Sequence, residues 1–484
     1  MACGGVFLLR GVGSNMAGWL VAVAVAALAQ AGVQAESPVA PAAPIDDLPA
    51  PVRDPLRIDL AADPVLALGR EPAANPDFTT LVQRAVERHP RVDEALAGVV
   101  EAEAAEDEAR STLFPTIDLD LSSQRSLARE FDNDPDNIIE RSRSRERTDL
   151  LLSAQQTLWD FGATANRIAA AGARLRAAAL EAEASADQVA LNAIAAWYDV
   201  FAYRALVALS EAFVLNQRDL RSAIEMRIKQ GVSAPGDLPR VESYIATAEA
   251  DLARYRRQLA NAEARFEEMF GVPAPSGLDR APAFEIPTTS KDAAQFLART
   301  TAPVEGAEAL ARAARREARA ARASTLPSVA VGLDAGKYGL SSRDYDVRGR
   351  ATVRYRFLGP GDARADQAEA RANAAEASAA RVRSEAEREA AIAWSDVVAL
   401  EEQLAALEKS YVASRQSRDV LAERFRVARG TLFDLLESES GYFNVAASYI
   451  RAVTELDAAR YVLLSRTGRL LPALDIDPPT PEWQ

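Results

Sequence analysis

Trp197, Asp237 and Gly271 recur as Trp394, Asp434 and Gly468, each pair 197 positions apart. A period that long spans a whole structural module rather than a single supersecondary unit. Each half reads as an extended segment, a long helix, a glycine-centred turn and a second long helix. The chain therefore folds as two copies of one design and not as two unrelated domains.

With 49% apolar but only 6% aromatic residues in 484, and alanine the commonest apolar residue, the composition favours packed helices over thick globular interiors. A formal charge of −14 disfavours a nucleic-acid partner, which needs a clustered basic face. Residues 1–35 read as an export signal: Arg10, an apolar stretch from Met16 through Leu28, and Val33-Gln34-Ala35 as a small-residue cleavage site. The mature chain is expected to begin at Glu36. Cys3, the single cysteine, is expected to be lost with the signal, leaving no disulfide or lipid-accepting thiol. Beyond the signal no run of about 18 uncharged apolar residues is present, so no helix is expected to cross a bilayer.

Residues 36–77 form a Pro/Ala-rich leader without periodicity, expected to be mostly disordered. Helical periodicity runs from Phe78 to Ser111, broken at His89-Pro90. The period then changes. Ile117, Leu119 and Leu121 alternate with Asp118, Asp120 and Ser122, which predicts a strand with one oily and one wet face. Thr148 to Trp159 predicts its partner across a polar loop from Phe131 to Arg147, giving a hairpin over about 113–159. The second half repeats this over about 325–358, with Val329, Val331 and Leu333, a turn near Gly339 to Asp344, and a last strand. There Tyr345, Val347, Ala351, Val353, Tyr355 and Phe357 face one way, while Asp346, Arg348, Arg350, Thr352, Arg354 and Arg356 face the other.

Exported alternating strands of about ten residues match the wall of a transmembrane β-barrel. Four strands cannot close one, since about eight is the practical minimum, so several copies of the chain must share a barrel. After each hairpin come helical tracts, 163–230 then 237–270 in the first repeat (78–271), and 362–429 then 434–468 in the second (293–471). The longer tract of each pair would extend roughly 100 Å at about 1.5 Å per residue. Their charged residues exclude a lipid setting, and alanine allows close lateral packing. Residues 272–292 read as a linker and 472–484 as a tail.

Several strings, in order and duplicated, resemble the TolC-type family of outer-membrane efflux and secretion proteins. They are Leu113-Phe114-Pro115 and Leu326-Pro327 before the strands, Trp159-Asp160-Phe161-Gly162 and Gly359-Pro360-Gly361 after them, and the turn from Phe425 to Asp434. The resemblance covers about Phe78 to Leu471. It implies a mainly α fold with a transmembrane β-barrel, in which a homotrimer with four strands per protomer closes one barrel in outer-membrane lipid. A long α-helical tunnel would continue that barrel into the periplasm. The implied activity is passive transport, as the outer-membrane component of a tripartite machine for type I protein secretion or multidrug efflux. A periplasmic adaptor and an inner-membrane transporter would be its partners. No enzymatic role, metal or cofactor is expected.

The same resemblance points to a gate at the periplasmic tip, with paired acids at Asp434 and Glu437. Three residues apart on a helix, they share a face, and threefold symmetry would gather six carboxylates that attract cations. The alternative is ordinary helix capping by Asp434. The family's gate lock uses a tyrosine and an arginine bonding to an aspartate of the first-repeat turn. The aspartate is present as Asp237, but the tyrosine position holds Phe425 and the arginine position Gly430. A phenyl ring donates no hydrogen bond, so a lock between Arg429 and Asp237 is the expected substitute.

Arg348, Arg350, Arg354 and Arg356 are expected to line the barrel lumen opposite acids such as Asp118 and Asp120, a structural role rather than an anion site. His89, the sole histidine, has no identifiable catalytic or metal partner. Trp197 and Trp394 are expected to pack helices, and Trp159 to sit in an interfacial aromatic belt. Two other readings share the long helices. A periplasmic coiled-coil adaptor should carry a Gly-rich lipoyl-like module, which the sequence lacks, and a structural envelope protein leaves the amphipathic strands unexplained.

Overall fold

A computed structural model describes residues 49, 51–52, 54–55, 58–70, 76–128, 130, 138, 144–282, 284, 288, 290–339 and 344–480. All of them belong to the compact unit Pro41–Gln484. The expected export signal lies outside the described residues. So do most of the loop expected from Phe131 to Arg147 and residues 340–343 of the second turn.

The order of elements is α1 (Pro64–Ala67), α2 (Pro76–Arg88), α3 (Pro90–Ser111), β1 (Thr116–Arg125), β2 (Glu146–Trp159), α4 (Ala163–Lys229) and α5 (Asp237–Phe270). There follow α6 (Lys291–Ala298), α7 (Ala302–Ala323), β3 (Ser328–Tyr338), β4 (Tyr345–Arg354), α8 (Gly361–Arg426), α9 (Leu432–Arg466) and α10 (Leu470–Ala473). The succession α3-β1-β2-α4-α5 is thus repeated as α7-β3-β4-α8-α9. Proline ends α2 and starts α3, because it lacks the amide that a continuous helix needs. His89 sits between them as the cap of α3, its Nδ1 accepting from the Arg91 amide at 3.1 Å.

The strands form one antiparallel sheet in the order β1-β2-β3-β4. Its register sorts the side chains as the alternation predicts. Leu119 pairs with Leu152, Ala154 with Leu333 and Val329 with Val353 on one face, and their larger side chains are largely exposed. Asp118 pairs with Ser153, Ser153 with Asp334 and Asp334 with Arg348 on the other. One bulge interrupts β2 between Thr157 and Trp159. There Trp159, exposed, meets Phe161 edge-on with ring centroids 5.8 Å apart.

α4 and α8 are continuous over 67 and 66 residues, about 100 Å each at the α-helical rise. Buried alanines recur at seven-residue spacing, Ala163, Ala170 and Ala177 in α4 and Ala365, Ala372 and Ala379 in α8. That is the period of a coiled-coil seam, filled here by the smallest side chain that still favours a helix. α7 lies against both α4 and α8, while α5 packs on α4 and α9 on α8. α5 stops at Gly271, where φ is +67°, a conformation glycine adopts without the cost that a Cβ would impose.

The repeat is unequal inside. Trp197 is fully buried among Phe78, Phe266 and Tyr461, and its Nε1 donates to the Asp279 carbonyl at 2.8 Å. Its counterpart Trp394 is half-buried beside Ala390, Ala393 and Val397. Two segments read as leader and linker are also built into this core. Val65 and Leu66 of α1 are buried, and Asp63 caps that turn by accepting from the Val65 and Leu66 amides at 2.8 and 3.0 Å. In the linker Leu278, Arg280 and Ala281 are buried, and Arg280 forks onto Asp457 with Nε–Oδ2 at 2.5 Å and Nη2–Oδ1 at 2.7 Å. Its remaining nitrogen donates to the Leu68 and Arg70 carbonyls at 3.2 and 2.7 Å.

Arg280 thus joins leader, linker and α9 at one buried point, and removing either charge strands the other. Arg280→Ala and Asp457→Ala are each expected to destabilise the fold by about 3–5 kcal/mol, read from denaturant melts followed by circular dichroism in detergent. A loss below about 1 kcal/mol would show that water replaces the lost partner.

Candidate functional site

The helical turns farthest along the sequence from the strands bring the two repeats together. Ile224 of α4, Val241 and Ile245 of α5, Phe425 of α8 and Leu432, Leu435 and Leu436 of α9 form one buried cluster. Phe425 is 8% exposed, so its ring faces this cluster and not solvent. The Arg227 guanidinium lies 4.4 Å over that ring, and its Nη1 donates to the Phe425 carbonyl at 3.1 Å. One arginine of the first repeat therefore holds the last turn of the second repeat's long helix by a cation–π contact and a hydrogen bond together.

Asp434 and Glu437 lie on the first turns of α9, both exposed. The N-cap is Thr431, whose hydroxyl accepts from the Asp434 amide at 3.1 Å. The Asp434 carboxylate is thereby left free of the N-cap role and favoured by the positive end of the helix. Asp237 caps its own turn, accepting from the Ala234 amide at 3.2 Å. Arg429 is exposed and makes no ion pair with Asp237 among the described residues of this protomer. At Gly430 an added Cβ would lie 3.1 Å from the Phe425 nitrogen and 3.2 Å from the Arg424 Cβ. A side chain there would press on the Phe425 backbone and the Arg424 side chain, so the turn would have to shift by a few tenths of an ångström to admit one.

Arg227 was not singled out by sequence reading. The 197-residue repeat aligns it with Arg424, beside the turn already marked by Phe425, and this offset was the available signal.

Between α8, α9 and the α1 turn lies a buried polar layer that sequence reading also missed. Tyr411 donates to Asp63 at 2.8 Å and is 2.8 Å from the Tyr442 hydroxyl, while Arg415 pairs with the same Asp63. Burial pushes the Tyr411 hydroxyl well above the usual phenol range, so it stays a donor, and Tyr442 completes the chain by donating to it. Arg418 stacks 4.4 Å over Tyr442 and its Nε donates to Asp419 at 2.9 Å. Glu439 faces this pair with one carboxylate oxygen unpartnered among the described residues. Desolvation pushes its carboxyl up, with Arg418 opposing and Asp419 adding to the shift.

On the sheet's polar face Arg350 lies 3.6 Å from Asp334, Arg348 pairs with Asp346, and Arg147 donates to Asp149 at 2.7 Å. Arg350 and Arg348 thus find their acids on β3 and on their own strand, whereas Arg354 and Arg356 make no ion pair among the described residues. Asp118 and Asp120 lie on β1, at the opposite edge of the sheet, and Arg356 lies past the last ladder pair of β4. Among the described residues no group of three or more His, Cys, Asp or Glu is placed to hold a metal ion. No described helix is long and apolar enough to cross a membrane.

Residues 81–272 match the model of the family described as outer membrane efflux protein. The outer membrane efflux protein BepC of Brucella suis biovar 1 is 22% identical over 326 residues, which cover 66% of this chain and 72% of BepC. The solved outer-membrane channel OprN superposes with a TM-score of 0.73 at 20% identity, covering 81% of this chain and 90% of OprN. VceC of Vibrio cholerae gives 0.71 at 18% identity, over 81% and 96%. The fold is that of TolC-like outer-membrane channels, with a barrel that one protomer leaves open.

Because burial pushes the Glu439 carboxyl pKa up and so favours a protonated folded state, its contribution is fully present below the unfolded carboxyl value, about 4.3, and is lost as pH rises through the folded one. Glu439→Gln is accordingly expected to raise Tm at pH 8, with the gain shrinking toward pH 4. Thermal melts at both pH values check it, and an equal effect at the two would refute the assignment.

Proposed function

We propose that this chain is a member of the TolC-type outer membrane efflux protein family, whose model its residues 81–272 match, and that three copies form a passive duct in the outer membrane, continued into the periplasm by helices α4, α5, α8 and α9. The observation that carries this reading is the sheet: four amphipathic strands with an exposed apolar face and two unpaired edges, rooted on helices about 100 Å long. In hydrocarbon every backbone amide and carbonyl needs a partner, so such a sheet is stable only when closed. Three copies give twelve strands. The trimer, the periplasmic adaptor and the energised inner-membrane transporter follow as partners, since nothing in a passive duct drives transport.

At the helical tip, Asp434 and Glu437 from three copies form the acidic ring that sets ion preference, and the stack of Arg227 on Phe425 holds the closed turn. Arg429 and Asp237, both on the surface of this protomer's turns, are the second candidate for that lock. As the machine served, efflux of small compounds is the first reading, in keeping with the word efflux in the matching family's description, and type I protein secretion is the second.

In planar bilayers the purified trimer is expected to conduct, with Asp434→Ala/Glu437→Ala lowering cation preference several-fold and Arg227→Ala raising conductance. Arg429→Ala should leave conductance unchanged if the stack alone holds the turn. A deletion strain is expected to become hypersensitive to hydrophobic antibiotics. Unchanged susceptibility together with loss of a secreted protein would instead assign the duct to type I secretion, and a monomer soluble without detergent would refute the duct itself.

A further inference from the structure

The two hairpins of the sheet are copies, and the contact between them is visible. In the first, Thr116 pairs with Gln155; in the second, Ser328 pairs with Arg354. Thr116 follows Phe114-Pro115 and Ser328 follows Leu326-Pro327, so Ser328 superposes on Thr116 and Arg354 on Gln155. Between hairpins, Gln155 pairs with Gly332 and Thr157 with Ala330. Carrying that contact forward by one repeat sets β4 antiparallel to β1 of the next copy. Arg354 then falls opposite the position four residues beyond Thr116, which is Asp120, and Arg356 falls opposite Asp118.

The charges at the two edges fit this register. Arg147, Asp149, Asp334, Asp346, Arg348 and Arg350, in the interior of the sheet or toward its far end, are all in ion pairs. Arg354, Arg356, Asp118 and Asp120 are exposed and, among the described residues, form no ion pair within the protomer. Two unpaired cations thus stand on one edge and two unpaired anions on the other, on the same polar face and near the same end of the strands. Opposite charges on facing strands attract, whereas a register displaced by four residues in either direction would leave Arg354 and Arg356 without a facing acid.

We propose that Arg354 and Arg356 of one copy pair with the partner subunit's Asp118 and the partner subunit's Asp120, forming an ionic seam that selects the register in which copies of this chain close their shared sheet. The seam rests on the trimeric reading above and adds to it the residues that fix how neighbours align. It also supplies a partner for every edge charge that the protomer leaves alone.

The test uses the full chain in detergent with Cys3→Ser. Asp120→Cys combined with Arg354→Cys is expected to give oxidised dimers and trimers on denaturing gels, whereas Asp120→Cys with Arg348→Cys, six residues away along β4, gives none. Asp118→Arg/Asp120→Arg should lose the trimer at temperatures that the unmodified chain survives, and adding Arg354→Asp/Arg356→Asp should restore it. Should the reversed pair fail to insert, the milder Asp120→Asn and Arg354→Gln report the same loss. A trimer by light scattering that neither cross-links at 120/354 nor responds to these charges overturns the seam and leaves the duct standing. A monomer by light scattering overturns both.

Discussion

Backbone pairing at the two ends of a four-stranded sheet is the constraint on which everything else rests. β1 and β4 each present a row of amides and carbonyls with no partner in the protomer. In water such an edge is merely a liability, but in hydrocarbon each open group costs several kcal/mol. The exposed Ile117, Leu119, Leu121, Val347 and Val353 place the sheet in that second setting. Closure by further copies, as proposed, would answer that need with chemistry that belongs to the peptide unit alone, and the long helices would inherit its symmetry, since each repeat's hairpin sits at the head of its own pair of helices.

Strands and long helices were legible because their signals are periodic. Two-residue alternation over Ile117 to Ser122 and over Tyr345 to Arg354 leaves one sheet geometry open. Alanine-rich tracts without an internal proline have little choice but to stay helical, and α4 and α8 do, α4 even through Gly172. What composition concealed was the use made of irregular segments. The leader reads as disordered on its prolines and alanines, yet Asp63, Val65 and Leu66 are buried. A single aspartate placed against Tyr411 and Arg415 outweighs the average of the forty residues around it. Pairing of that kind is set by positions some 350 residues apart, and no local window contains both.

The acids at the helical turn show the same division. Asp434 and Glu437 share an exposed helical face, as their spacing requires, whereas Phe425 takes its cation from Arg227, 198 residues earlier. Within the protomer Arg429 makes no ion pair with Asp237 among the described residues, while a guanidinium from the other repeat, Arg227, stacks on the face of the Phe425 ring. Gly430 fits the same tight turn, since an added Cβ would come within 3.1 Å of the Phe425 nitrogen. Charged groups in this protein thus work chiefly as ties between segments that the chain order keeps apart: Arg280 at the linker, Arg415 at the leader, Arg227 at the turn.

Buried alanine at every seventh residue near the strand ends of α4 (Ala163, Ala170, Ala177) and α8 (Ala365, Ala372, Ala379) has a mechanical meaning. A leucine in such a seam can change rotamer and let neighbouring helices slide, whereas a methyl group has no alternative state to occupy. The first turns of α4 and α8 beyond the strands are therefore held by side chains with a single state, whereas farther along α4 the same interior is filled by Trp197, Leu206, Leu209 and Phe213, so the freedom to repack increases with distance from the sheet.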